Sequence, residues 1–148
     1  MNNQRLEVTL PGKPYSQPRI RVGKFGAYHP KEHIQKVAQT SDFLSYSANI
    51  QKWKKTEGPV KVTIVTVSRC VVRYKKQVIL SGKRLYKPTR PDIDNYAKYI
   101  LDCCSKAKNI WGDDSQVVQL VQKKFYGQPK EEPYTNVIIE VLEGYGDL

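Results

Sequence analysis

The stretch Arg90-Pro91-Asp92-Ile93-Asp94-Asn95 decides how this chain of 148 residues is organised. Pro91 favours an extended backbone at the residue before it, so a helix is expected to begin after the proline. Asp92 and Asp94 are residue types that favour turns and helix N-caps. Beyond them the apolar residues recur at spacings of three and four, which predicts one amphipathic helix with a stripe of Tyr96, Ala97, Ile100, Leu101 and Cys104.

A line of charged residues follows one side of this predicted helix. Lys98 lies one turn after Asp94, and Asp102 continues the line one turn further. A second acidic pair, Asp113-Asp114, follows a predicted turn at residues 109–112 and leads into a predicted strand. A short helix followed by a strand can bring two acidic ends together, so we expect both pairs to contribute to one site.

The remaining sequence shows both strand and helix patterns. Strands are predicted at residues 5–10, 60–67, 117–126 and 136–142, and a helical block is predicted at 31–55, with a polar break at 39–42 that splits it. Residues 13–30 are loop-like with a hairpin turn at 23–26, residues 81–84 form a turn, and residues 70–76 and 77–80 are expected to form short strands or an excursion from the sheet. Together these patterns predict an α/β (α+β) fold, a mixed β-sheet with helices packed on it, in a single domain over residues 1–148.

The composition narrows the class of partner. Lys and Arg number 25 against 14 acidic residues, for a net charge of +11, which favours a polyanion. No apolar run is long enough to span a bilayer and the first residues lack a signal-peptide hydrophobic region, so we expect a cytoplasmic protein without a membrane partner. The three cysteines lack metal-site spacing and are expected to be reduced thiols.

Carboxylates in so basic a chain suggest a divalent cation acting on a phosphodiester. Asp92 and Asp94 supply the hard oxygen ligands that Mg²⁺ prefers, and a bound metal can activate water and neutralise phosphate charge. The structural alternative is that both residues serve only the turn and the helix cap. His29 and His33 lie four residues apart, but nothing nearby in the sequence completes a histidine metal site.

Two further motifs flank the acidic stretch. Trp111–Val118 contains the second acidic pair and is followed by Lys123, Lys124 and Gly127, while Gln17-Pro18-Arg19 precedes Tyr28-His29-Pro30. With residues 91–95 and Lys98, this order of motifs resembles the RusA family of Holliday-junction resolvases, of phage or prophage type.

The resemblance implies an endonuclease that resolves four-way DNA junctions in recombination and repair. It implies an acidic triad of Asp92, Asp94 and Asp114 that binds Mg²⁺, with Mn²⁺ able to substitute. It also implies an auxiliary role for Asp113, a catalytic role for Lys98, and a homodimer acting on branched double-stranded DNA.

Basic residues near these motifs are the candidate DNA contacts. They are dense at residues 13–24 and 83–90, and they would bind phosphate without reading sequence. The predicted DNA-binding set is Lys13, Arg19, Arg21, Lys24, Lys87, Arg90 and Lys124. Four tyrosines are candidates either for stacking on exposed bases or for core packing: Tyr15, Tyr28, Tyr74 and Tyr86.

Two alternatives explain much of the same sequence. One is a non-catalytic, structure-selective nucleic-acid-binding protein, which accounts for the charge but not for acidic residues within a basic surface. The other is a nuclease acting on flaps or other branched DNA. The long basic stretch at 68–90 and the extended helical block at 39–56 leave the preferred substrate and the dimer geometry open.

Overall fold

The computed structural model describes residues 4–76 and 82–148, which form a mixed β-sheet with two helices packed on it. In chain order the elements are β1 (Arg5–Pro11), β2 (Arg21–Gly23), β3 (Gly26–Tyr28), α1 (Lys31–Ile50), β4 (Val60–Ser68), α2 (Ile93–Ala107), β5 (Val117–Tyr126) and β6 (Tyr134–Val141). Short 3₁₀ turns lie at Val72–Tyr74 and Asp114–Gln116. The predicted fold class is confirmed.

The main sheet has the strand order β1-β6-β4-β5. β6 pairs antiparallel with both β1 and β4, whereas β5 pairs parallel with β4. The parallel pair is joined through α2, since parallel strands need a crossover connection. Strands β2 and β3 form a separate antiparallel hairpin.

One face of the sheet carries the core. Val60, Val62 and Ile64 alternate along β4 and are 0–1% exposed, as expected for a strand with one covered face. Across the ladder Val62 pairs with Ile139, which is also buried. The predicted stripe of α2 packs on this face, with Ile100 and Cys104 among its buried residues. The sheet therefore fixes the orientation of α2.

The predicted break in the first helical block is wrong. α1 runs without interruption through residues 39–42, where two of the four polar residues find partners inside the protein and the other two are exposed. The buried hydroxyl of Thr40 hydrogen-bonds to that of Tyr99 on α2, and Ser41 Oγ donates to the carbonyl of Val37 (2.6 Å). The helix also ends at Ile50, five residues before the predicted limit.

The segment before α2 differs from one of its sequence predictions. A 3₁₀ turn at Val72–Tyr74 contradicts a strand at 70–76 and is compatible with the other expectation for this stretch, an excursion from the sheet. The second short strand, at 77–80, lies outside the described residues, as does Ser81 of the predicted turn. Cys103 and Cys104 are buried free thiols, as predicted, whereas Cys70, also expected in the core, is only partly buried; burial raises the pKa of Cys103 to about 12. Across residues 4–76 and 82–148, neither helix is long and apolar enough to cross a membrane.

Candidate active site

Asp92 and Asp94 stand exposed at the mouth of α2. Asp92 is the N-cap residue by backbone position, with φ −67° and ψ 147°, yet its side chain makes no capping hydrogen bond. Asp94 lies in the first turn of the helix. The carboxylate of Asp92 is therefore not consumed by the local capping role that the structural alternative assigned to it. It lines a surface cavity together with Arg19, Arg90 and Asn95.

Two lysines hold the loop that leads into these carboxylates. Lys124 Nζ, on β5, donates to the carbonyl oxygens of Thr89 (2.7 Å) and Pro91 (2.6 Å). Lys87 Nζ donates to Thr89 Oγ1 (3.1 Å) and to the carbonyl of Arg90. Three successive residues immediately before Asp92 are thus bound by ammonium groups. Hydrogen bonds with a charged donor are stronger than neutral ones, so the lysines restrain this loop.

The backbone of the same segment is tied to the edge of the sheet. The amide of Lys87 donates to the carbonyl of Lys124 (2.9 Å), and the amide of Tyr126 donates to the carbonyl of Leu85 (2.8 Å). The end of β5 therefore positions the basic segment and, through it, the acidic motif. Neighbouring residues of a strand point to opposite faces, so only one of Lys123 and Lys124 can face the loop, and Lys124 is the one bound to it.

Three of the predicted DNA-binding lysines lie near one another. Burial lowers the pKa of Lys87, and the positive charges of Lys124 and Lys13 lower it further. Arg19 and Arg90 form a second basic group around the cavity beside Asp92. The structure thus brings four of the seven predicted DNA-binding residues to the surroundings of the acidic motif: Arg19, Lys87, Arg90 and Lys124. Lys13 lines a different cavity, and Arg21 and Lys24 lie on the hairpin β2–β3. Their contacts with DNA remain predictions.

The charged line on α2 links the acidic motif to the second acidic pair. Lys98 and Asp102 are both exposed on this helix. Although the residue as a whole is exposed, partial desolvation of its carboxyl raises the pKa of Asp102; the negative charge of Asp114 raises it further, and His33 and Lys98 oppose these effects. Trp111 Nε1 also donates to Ser105 Oγ (3.0 Å) near the end of the helix. Asp114 therefore lies near the later turns of α2, not near its mouth.

Asp113 has a local structural role. It begins the 3₁₀ turn Asp114–Gln116, and its Oδ2 accepts a hydrogen bond from the amide of Ser115 (3.2 Å), which lowers the pKa of Asp113. The side chain of Gln116 completes the capping box. Gln116 Nε2 also donates to the carbonyls of Thr56 and Gly58, both at 2.9 Å. This anchoring residue was missed from sequence, although a glutamine three residues after an aspartate is its signature.

The two histidines of the sequence lie together beside α2. Their rings are 4.8 Å apart, and Tyr15 Oη hydrogen-bonds to His33 Nδ1 at 2.9 Å. Burial and the neighbouring His29 lower the pKa of His33, while Asp102 opposes them. His33 is 3% exposed and has a partner within the protein, which is typical of a core histidine.

The donor chemistry of the predicted triad suits a hard cation, but Asp92, Asp94 and Asp114 do not converge within one chain. Asp94 and Asp102 are eight residues apart, about 12 Å along a helix, and Asp114 lies near Asp102. Ligands of a single Mg²⁺ lie about 2 Å from the ion. Within residues 4–76 and 82–148, no three His, Cys, Asp or Glu side chains converge as metal ligands. The assignment of Asp92, Asp94 and Asp114 to one metal remains a prediction.

An acidic helix mouth within a basic face of an α+β fold is an arrangement suited to processing nucleic acid. Residues 11–140 match the family model of the endodeoxyribonuclease RusA. The chain therefore belongs to the RusA endodeoxyribonuclease family, as the sequence motifs predicted, and this membership indicates a Holliday-junction endonuclease. The chain is also 32% identical over 142 residues to the uncharacterized protein YqaN of Bacillus subtilis (strain 168), with 90% of this chain and 94% of the relative covered.

Proposed function

We propose that this endonuclease is Mg²⁺-dependent, with Mn²⁺ able to substitute, and that it resolves four-way DNA junctions by paired phosphodiester hydrolysis. It acts as a cytoplasmic homodimer in DNA recombination and repair. The observation that carries the proposal is the uncommitted carboxylate of Asp92, which lines a cavity beside Arg19 and Arg90. A carboxylate facing a polyanion is repulsive unless a cation lies between them.

The charged residues around the mouth of α2 have distinct roles in the proposed reaction. Asp92, Asp94 and Asp114 are the metal ligands, and a bound Mg²⁺ supplies an activated water and neutralises phosphate charge. Lys98, one turn beyond Asp94, stabilises negative charge on the phosphate oxygens as the phosphodiester is cleaved. Lys87 and Lys124 hold the loop before Asp92, and Arg19 and Arg90 bind the phosphates that flank the scissile bond.

The separation of the acidic pairs supports a homodimer. Within one chain the segment before Asp114 is bonded to the later turns of α2 through Trp111 and Ser105, whereas Asp92 and Asp94 lie at the start of that helix. In a two-fold dimer, Asp114 of a second copy would complete the carboxylate set at the mouth of α2. Such a dimer carries two equivalent sites, and paired cuts in a two-fold-symmetric junction then follow from its symmetry.

The first test is cleavage of a labelled four-way junction with Mg²⁺, with and without EDTA. Wild type is expected to make paired nicks that EDTA abolishes, while Asp94→Asn binds the junction without cutting it. Asp42→Asn, which neutralises an exposed carboxylate on α1, is the matched control and is expected to cut normally. Cleavage of flap, duplex and RNA substrates is compared with cleavage of the junction to determine which substrate the enzyme prefers. Junction binding without cleavage by wild type in Mg²⁺ or Mn²⁺ would contradict the proposal.

A mixed-subunit experiment tests the shared site. Asp94→Asn and Asp114→Asn proteins are each expected to be inactive. After the subunits exchange, a mixed dimer has one fully acidic site if ligands come from two chains, and it is expected to regain nicking. If each site is built within one chain, every site in the mixture carries a substitution and the mixture stays inactive.

A further inference from the structure

An exposed hairpin carries an apolar tip that the roles above leave unexplained. β2 and β3 are joined by Lys24 and Phe25, and Phe25 is 97% exposed. Val22, on the same hairpin, is 85% exposed. An exposed phenylalanine gains nothing from folding of this chain, because its ring stays in water. The exposure of this ring therefore points to a contact made outside the chain.

Local packing gives the hairpin a defined shape. The ring of Tyr28 lies against the backbone of Gly23, so close that a Cβ atom at residue 23 would be 2.8 Å from Tyr28 Cε1. Gly26 follows the turn with φ +111°, a conformation that side chains disfavour. The tip is thus presented on a short paired ribbon closed by glycines.

Both ends of the hairpin segment are anchored beside the candidate active site. Before the hairpin, the amide of Gln17 donates to the carbonyl of Asn95 (3.1 Å), and Arg19 lines the cavity beside Asp92. After it, the ring of His29 lies against that of His33, whose pKa is influenced by the charge of Asp102 on α2. The hairpin therefore rises from the surface of α2 that carries the proposed catalytic groups.

Charge identifies the class of partner. Residues 12–31 contain five Lys or Arg residues and no Asp or Glu. Lys24 Nζ lies 5.9 Å from the centre of the Phe25 ring. A ring beside an ammonium group matches a nucleotide, because the cation can bind the phosphate while the ring covers the face of a base. Basic surroundings so close to the acidic motif favour DNA over an apolar protein partner.

The ring also limits which part of the DNA it recognises. In an intact duplex the two faces of each base are covered by neighbouring bases, and only the edges are open in the grooves. Phenylalanine has no hydrogen-bonding group with which to read an edge. It can stack only where a base face is uncovered or can be opened, as at a branch point.

We propose that Phe25 is a stacking residue that covers an unstacked base at the centre of a branched DNA and so selects branched over linear duplex. This inference rests on the proposed function. Arg19, Arg21 and Lys24 bind the neighbouring phosphates and add affinity for any DNA, whereas Phe25 adds affinity only where a base face is available.

The test measures equilibrium binding in EDTA, where cleavage cannot interfere, to a four-way junction and to a linear duplex. Each DNA carries 2-aminopurine, whose fluorescence reports stacking; in the junction it lies at the branch point. Phe25→Ala is expected to weaken junction binding by roughly 5- to 150-fold, the range for losing one base–aromatic stack. Duplex binding should be unchanged, and the fluorescence change at the branch should be lost. Because Phe25 is exposed, the melting temperature should also be unchanged.

Three matched variants test whether aromatic stacking is the cause of the junction preference. Phe25→Trp is expected to retain the junction preference, because it keeps an aromatic face, whereas Phe25→Leu keeps an apolar group and should lose it. Tyr145→Ala removes another aromatic side chain, which is 89% exposed, and should have no effect. Equal behaviour of Leu and Phe at position 25 would overturn stacking and indicate general apolar docking.

Other outcomes separate this inference from the function on which it rests. If wild type cuts junctions and Phe25→Ala binds and cuts them equally well, the stacking role is wrong and the resolvase proposal stands. If sedimentation shows that Phe25→Ala loses dimers in proportion to its loss of binding, the tip contacts a second copy and the inference fails. If wild type shows no preference for branched DNA, both proposals fail.

Discussion

Replacing Lys124 with methionine tests whether the loop before Asp92 must be held for catalysis. The substitution keeps a long side chain on β5 but removes the ammonium group that donates to the carbonyls of Thr89 and Pro91. Lys123→Met is the control. It removes the same charge from the next residue of the strand, whose side chain is exposed and points to the other face.

The magnitude follows from the two hydrogen bonds. A hydrogen bond with a charged donor contributes about 1.5–3 kcal/mol. Lys124 is half-buried and water can replace part of its interaction, so we expect a combined loss of about 1–3 kcal/mol in the ordering of the loop. A displacement of about 1 Å in a reacting group can lower a rate by about 100-fold. Since each 1.36 kcal/mol is about a factor of ten in rate, the cleavage rate of Lys124→Met should therefore fall by about 5- to 150-fold.

Single-turnover cleavage of a labelled junction, measured over a range of Mg²⁺ concentrations, separates positioning from charge. A lost phosphate contact should weaken DNA binding and reduce its salt dependence, and saturating DNA overcomes that loss. Only Lys124→Met should also show a lower rate at saturating DNA and need more Mg²⁺ for half-maximal rate. If the two variants show the same cleavage rate and Mg²⁺ dependence, the positioning role of Lys124 is refuted.

Three further predictions concern single side chains. Asp113→Ala should lower the free energy of unfolding by about 0.5–2 kcal/mol, because the cap of the 3₁₀ turn is lost, and it should leave measurable cleavage. Asp114→Asn should abolish cleavage and leave the melting temperature nearly unchanged. Denaturant unfolding and junction cleavage are measured for both variants. His33 has a lowered pKa in the folded protein, so the unfolded chain binds more protons below pH 6.5 and stability should fall with acid. His33→Gln should reduce that slope in pH-dependent unfolding by at most about 1.4 kcal/mol per pH unit. Thr40→Val should cost about 1–3 kcal/mol by leaving the buried hydroxyl of Tyr99 without its partner, and an unchanged unfolding midpoint would contradict this.

Much of the fold could be predicted because its elements carry strong local patterns. The β4 strand was predicted to within one residue and β5 to its observed limits, since β-branched and apolar residues are frequent in both. The apolar stripe of α2 could also be predicted from the sequence. α1 was harder to predict because its buried side includes His33, Thr40 and Ser41, whereas Ile34 and Ile50 are exposed. A hydrophobic pattern cannot reveal a polar side chain that is satisfied by a distant partner.

The candidate site was predicted in its residue types and only partly in its arrangement. The sequence identified the acidic pairs, but it suggested that one helix and one strand bring them together. The structure places Asp114 near the later turns of α2 instead. It also assigns Lys87 and Lys124 to the loop carbonyls, where the sequence offered only a general phosphate contact.

The sequence by itself determined the family, the acidic motif at the start of a helix, and the basic character of the surface, because these depend on residue types at short spacings. Only the tertiary structure decided that the parallel pairing of β4 and β5 places Lys124 under the loop before Asp92, and that Phe25 stands exposed beside the site. The physical reason is that a charge or a hydroxyl takes its partner from whatever the fold brings within hydrogen-bonding distance. For Lys124 those partners are more than thirty residues away along the chain.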